Sequence, residues 1–161
     1  MTRKTRAALI SVCSNITLII IKIFAGILSG SVSIISEAIH SAMDLVAALI
    51  ALFAVRRSDI PPDQRHPYGH DKIENVSGVI EALLILLAAG WIIFEAIGKL
   101  ITPTPIESVG FGVLVMLISA LVNSGVSTYL YRVAKEEESV ALAADALHLK
   151  ADVLTSLGVA V

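Results

Sequence analysis

Five long apolar stretches limit what this chain can fold into. They run over about residues 7–29, 32–56, 74–101, 107–132 and 139–161. Each exceeds the roughly 20 residues that a helix needs to cross a bilayer. Backbone polar groups in hydrocarbon must be satisfied within the protein, which favours helices for runs of this kind. The expected fold class is therefore an all-α membrane protein, a polytopic transmembrane helix bundle. Composition agrees. Of the 161 residues, 56% are hydrophobic and 16% charged, against about 45–50% and 25% in soluble domains. The net charge of −2 comes with no basic stripe, so no nucleic-acid partner is expected.

The first stretch follows a basic start, Arg3, Lys4 and Arg6, as a secretory signal would. A signal's apolar region is about 7–15 residues long, whereas this one continues from Ala7 to about Leu28 without a small-x-small cleavage site. It reads as a retained span. Cys13 is a lone thiol within it, which excludes an internal disulfide and leaves a small packing residue.

Turn residues separate the spans: Ser29-Gly30-Ser31, then Pro61-Pro62 and Pro67-Tyr68-Gly69, then Pro103 and Pro105, then the charged run Arg132 to Glu138. Basic residues mark cytoplasmic segments. They gather at the N-terminus, around the second connection (Arg56, Arg57, Arg65, Lys72) and in the fourth (Arg132, Lys135). The first connection has none and the third only Lys99 at its edge. This alternation predicts a cytoplasmic N-terminus, in a prokaryotic inner (plasma) membrane. The last stretch reaches Val161 without a basic anchor, aromatic belt or cap, and reads as a fifth helix cut short.

The chemistry lies in polar residues within the apolar runs. An ionisable side chain at membrane depth costs roughly 2.5–3.5 kcal/mol on insertion scales and marks function by default. The second span contains His40 and Asp44, and the fifth contains His148 and Asp152. Spacing i, i+4 puts each pair on one helix face, one turn apart. Two such faces together offer two imidazoles and two carboxylates, the four ligands of a tetrahedral site. Zinc accepts these donors, while imidazole also suits iron and nickel and carboxylate suits manganese. A single such pair would more simply be an intrahelical hydrogen bond. Two copies in spans of opposite direction favour a metal site.

Glu37 and Asp145 each precede a histidine by three residues. They are candidates to orient the metal-bound imidazoles from outside the ligand set, or else to line an entrance or pair with Lys22 or Lys150. Asn15 and Asn123 are candidates for interhelical hydrogen bonds or cavity lining. Glu81 and Glu95 can face the bundle, or Glu95 can reach outward. Gly26 and Gly30 match a weak small-x-x-x-small pattern. In the second connection, Asp63, His66 and His70 form a possible loop metal site on a proline- and glycine-rich segment.

These motifs, SEAIHSAMDLVAALIA, HPYGHDKIE, ITPTPI and ADALHLKAD in that order, resemble the transmembrane part of a cation diffusion facilitator over nearly the whole chain. The resemblance implies six helices, of which five are present in residues 1–161, followed by a cytoplasmic metal-binding domain absent here. It implies a homodimer exchanging a cytoplasmic divalent cation for protons. The transport site it implies is His40, Asp44, His148 and Asp152, with a second metal at Asp63, His66 and His70. Many bacterial relatives carry aspartate at the position of His40. The His/Asp arrangement resembles zinc-preferring members, with Co2+, Ni2+, Fe2+, Mn2+ and Cd2+ as alternatives.

The expected function is zinc/proton antiport by a secondary transporter rather than an enzyme. The rival readings are a passive metal channel and a non-transporting metal-binding subunit. An intramembrane metalloenzyme with Glu37 as base is disfavoured, because four protein ligands leave no open position.

Overall fold

A computed structural model describes residues 1–101 and 109–160, with side chains at 32–33, 95–96, 99–100, 109–112 and 155–160 outside the described set. The described residues form five helices: α1 (Arg3–Ser29), α2 (Val32–Ser58), α3 (Lys72–Ile101), α4 (Val109–Glu136) and α5 (Val140–Ala160). Four of them contain segments long and apolar enough to cross a bilayer, namely Arg3–Ser29, Ile34–Ser58, Lys72–Phe94 and Val113–Glu136. The chain is a multi-pass helical membrane protein. The connection bearing Pro103 and Pro105, and the side chain of Glu95, lie outside the described residues.

Capping chemistry sets the first turn. The Thr2 side chain accepts from the Thr5 backbone N–H at 3.2 Å and starts α1. Gly30 ends it in the left-handed region at φ +66°, a conformation glycine adopts without a Cβ penalty. Ser31 then caps α2 by accepting from Ile34 N–H at 3.4 Å. The hairpin is tight at Gly26, where an added Cβ would lie 2.7 Å from Ile35 Cγ1 and 3.3 Å from its backbone nitrogen. The two glycines thus have separate causes. Gly26 permits close approach of the helices, and Gly30 has nothing within 4 Å and serves the turn.

Small residues draw four helices together. Ala7, Ala8, Ala48, Ala54, Ala134 and Ala141 share one buried cluster with Val55, Val133 and Leu142. Small side chains let membrane helices gain dispersion contact where lipid removes the hydrophobic drive. The outer faces carry Phe24, Phe53, Leu87 and Trp91, all exposed, as a lipid-facing surface requires. Helix α3 is the most peripheral, with 11% of its most apolar window buried against 50% for α2.

Polar ties gather at one end of the bundle. Glu74, at the start of α3, accepts from Lys4 Nζ at 3.0 Å and Ser58 Oγ at 2.6 Å, and also from Ser139 Oγ. Lys4 further pairs with Asp59 at 3.5 Å, and Asp59 accepts from Thr5 Oγ1 at 3.2 Å. One carboxylate therefore joins the ends of α1, α2, α3 and the turn into α5. Removing Lys4 here would leave a buried carboxylate without its cation, which costs more than the pair itself contributes.

The helices outrun the apolar stretches at this end. Helix α2 continues to Ser58, α3 begins at Lys72 and α4 reaches Glu136. Backbone hydrogen bonding persists beyond the last apolar side chain, where hydropathy has stopped reporting it.

Candidate metal centre

Helices α2 and α5 bring the two His-x-x-x-Asp pairs face to face. His148 Nε2 lies 3.2 Å from Asp44 Oδ1. It lies 3.9 Å from Asp152 Oδ2, and His40 Nε2 is 4.0 Å from Asp152 Oδ1. One donor atom each from His40, Asp44 and Asp152 fall within 4.8 Å of one another. The cross-helix pairing is 40 with 152 and 44 with 148, the register of two antiparallel helices. Each histidine therefore faces the aspartate of the other helix. Asp44 and His148 are buried, and His40 and Asp152 are partly so.

The chemistry of this donor set suits a divalent transition metal. Two carboxylates and two imidazoles are oxygen and nitrogen donors of the kinds that zinc takes in tetrahedral sites. His148 Nδ1 is buried without a hydrogen-bond partner. A metal-bound imidazole more often has that second nitrogen held.

The neighbouring acids take different places. Glu37 accepts from Lys22 Nζ at 3.1 Å, and the same buried ammonium reaches Ser41 Oγ at 2.7 Å. Of the readings open for Glu37 from sequence, the geometry gives it the lysine partner. Asp145 is fully buried, and neither of its oxygens closes a hydrogen bond. Lys150 is exposed. Glu81 faces the bundle and accepts from Ser77 Oγ at 2.8 Å. Asn15 and Asn123 are buried, with Asn15 Nδ2 and Asn123 Oδ1 unpartnered.

The connection between α2 and α3 holds the other cluster. Donor atoms of Asp63, His66 and His70 lie within 4.8 Å of one another. Asp63 Oδ1 accepts from the backbone N–H of His66 at 2.6 Å and of Arg65 at 2.8 Å. His66 Nδ1 sits 3.2 Å and His70 Nε2 3.8 Å from its two oxygens. Gly69 makes the turn between the histidines at φ +84°, and their rings stand 4.4 Å apart. The His66 backbone N–H, then that of Arg65, hold the Asp63 carboxyl below its ordinary range. Hydrogen bonds to the charged form have that effect.

Sequence reasoning missed Glu74 as the joint of four elements, and Ser11 beside Asp145. Glu74 is an acid at a span edge, and Ser11 a small residue in an apolar run. A weak signal existed for Glu74 in Lys4, a basic residue at the matching depth of another helix.

The profile described as the cation efflux transmembrane domain matches residues 8–161. A transporter of Synechocystis sp. is 34% identical over 154 residues, covering 96% of this chain and 50% of that protein. The cation-efflux pump FieF of Klebsiella pneumoniae subsp. pneumoniae is 34% identical over 150 residues. That of Citrobacter koseri is 35% identical over the same length. Each alignment covers 93% of this chain and 50% of the pump. The chain spans about half the length of the curated relatives it matches.

Proposed function

The chain belongs to the cation efflux family, and on that premise we propose that it moves a divalent transition-metal cation, zinc first, out of the cytoplasm in exchange for protons. The observation that carries this reading is the antiparallel pairing of His40 with Asp152 and Asp44 with His148 at 3.2–4.0 Å. These four side chains are the transport site, and zinc is cargo rather than a resident cofactor. Cobalt, nickel, iron, manganese and cadmium are the competing cargoes for the same donors.

Proton exchange follows from the ligands. A metal ligand must be deprotonated, so binding releases protons and weakens in acid. Facing the cytoplasm, the site loads the ion. Facing outward, it takes protons on His40 or His148 and releases the ion. The two facings must differ in metal affinity, since a ligand shifts an equilibrium only by its differential binding.

The remaining assignments complete the reading. The N-terminus is cytoplasmic, α5 crosses outward as a fifth span, and the protein works as a secondary transporter in a homodimer. Asp63, His66 and His70 hold a second, more exchangeable metal on the cytoplasmic side. Zinc uptake into proteoliposomes with an imposed pH gradient tests the whole. Flux should follow the gradient and stop when it is collapsed by an ionophore. Zinc flux indifferent to the gradient would sink the exchange.

A further inference from the structure

Beyond the quartet, a second set of buried oxygens lies on α1, α3 and α5. The parallel helices α3 and α5 are aligned by two contacts. Glu74 at the start of α3 accepts from Ser139 Oγ and, at 3.4 Å, from Ala141 N–H. One turn on, Gly78 lies against α5, where an added Cβ would be 3.1 Å from Val140 Cγ1 and 4.0 Å from Ala144 Cβ. The next inward position on each helix is an acid, Glu81 on α3 and Asp145 on α5. Both are fully buried. Helix α1 adds Ser11 beside Asp145, and Asn15 one turn further along the same face.

Polar capacity on these three faces is not fully used. Glu81 Oε2, both Asp145 oxygens, Ser11 Oγ and Asn15 Nδ2 are all buried without a hydrogen-bond partner. Native interiors pair such groups, and an orphan needs an explanation such as an ion. The nearby basic groups are engaged elsewhere among the described residues. Lys22 pairs with Glu37 and Ser41, Lys4 with Glu74 and Asp59, and His148 Nε2 faces Asp44 and Asp152. Two acids in a low-dielectric interior need an offsetting cation or proton.

We propose that Glu81 and Asp145, with Ser11 and Asn15, form a second buried divalent-cation site, one turn short of the quartet along α5. Its donors are two carboxylates, a hydroxyl and an amide oxygen; the amide's two ends are interchangeable by rotation. An all-oxygen set holds a borderline cation less firmly than a set containing imidazole. Asp145 precedes His148 by three residues, about 4.5 Å along the axis. The site receives the ion from the end of the bundle that carries the start of α5 and passes it to His148 by ligand exchange. This role rests on the quartet being the transport site, whereas the occupancy of the second site does not.

The test is cadmium binding to the detergent-solubilised protein carrying Ser11→Cys in a Cys13→Ala background. A thiolate is a soft ligand that cadmium takes readily, and it reports the contact as an ultraviolet charge-transfer band. The expected result is a saturable band that Glu81→Gln and Asp145→Asn each abolish and Glu81→Asp retains. Calorimetry on the natural sequence should then show one fewer zinc equivalent in Glu81→Gln than in the parent. No band in folded Ser11→Cys protein, or a band that survives both acid-to-amide changes, overturns the site. If only a proton occupies the pair, no band forms and the zinc count does not change. Failure of the transport reading looks different: His148→Ala would transport normally whatever the band does.

Discussion

His148 and Asp44 meet at 3.2 Å across two helices, with both side chains buried. His66 and Asp63 meet at the same 3.2 Å within four residues of loop, with half of each side chain exposed. The residue types and the distance are alike, but what holds them is different. Between α2 and α5, helix packing fixes the partners, and both side chains have lost most of their contact with water. On the loop, two backbone N–H groups and the Gly69 turn do the holding, and water remains. Binding an ion in the first place relieves a desolvation cost that is already incurred, and in the second it competes with solvent. On the proposed reading, that contrast separates a site that must be emptied by protons from one that exchanges freely.

The largest effect should come from breaking the helix-held cluster. On that reading His148→Ala removes a ligand and the imidazole that faces Asp44. Zinc flux in proteoliposomes should fall by more than the ~10–100-fold that changes outside a metal's ligand set cost. Unchanged flux would remove α5 from the site. Acid comes next. Both clusters should lose zinc as the solution is acidified, because each histidine must be deprotonated to bind the metal. Asp63 adds no step within the ordinary carboxylate range. Its carboxyl is held low by the His66 and Arg65 backbone donors. Its contribution is present above the ordinary value of about 3.9 and is lost only as pH falls through the lowered one. A loop titration showing a second loss between pH 4 and 5 would contradict this.

Smaller effects sharpen the contrast. Asp63→Asn should weaken zinc binding at the loop by about tenfold or more, since even the outer partners of metal ligands are worth that much, while flux stays at the parental level. Equilibrium dialysis alongside transport would check it, and a matching loss of flux would tie the loop to the cycle. Two glycines close the series. Gly26→Ala should cost about 1–3 kcal/mol through overpacking against Ile35, seen as a lowered Tm in detergent. Gly69→Ala should cost about 1–2 kcal/mol from its left-handed backbone, and should weaken loop metal binding without moving the membrane site.

Much of this arrangement is legible in the sequence. The quartet stands out because His40, Asp44, His148 and Asp152 are expensive residues in apolar runs, spaced by one helical turn. The loop cluster is legible for the opposite reason, since three donors fall within eight residues of a turn-rich segment. What periodicity does not carry is the partner across a helix interface. It assigns Glu37 to a face without choosing between His40 and Lys22, and only packing resolves that in favour of Lys22. Ser11 and Ser77 carry no hydropathy signal, because a small hydroxyl costs little in an apolar run and can satisfy itself on its own helix. Glu74 lies where hydropathy reads only the edge of a span, though its contacts reach three other elements.

Those contacts set a fulcrum. With Glu74 fastening one end of the bundle, the nine residue steps from Ser139 to His148 form a lever arm of roughly 13 Å. A swing of about 10° about the fastened end carries the far ligands by roughly 2 Å, about one zinc–ligand bond length. On the proposed reading, a rotation that leaves the helices intact is therefore enough to pull the coordination shell apart.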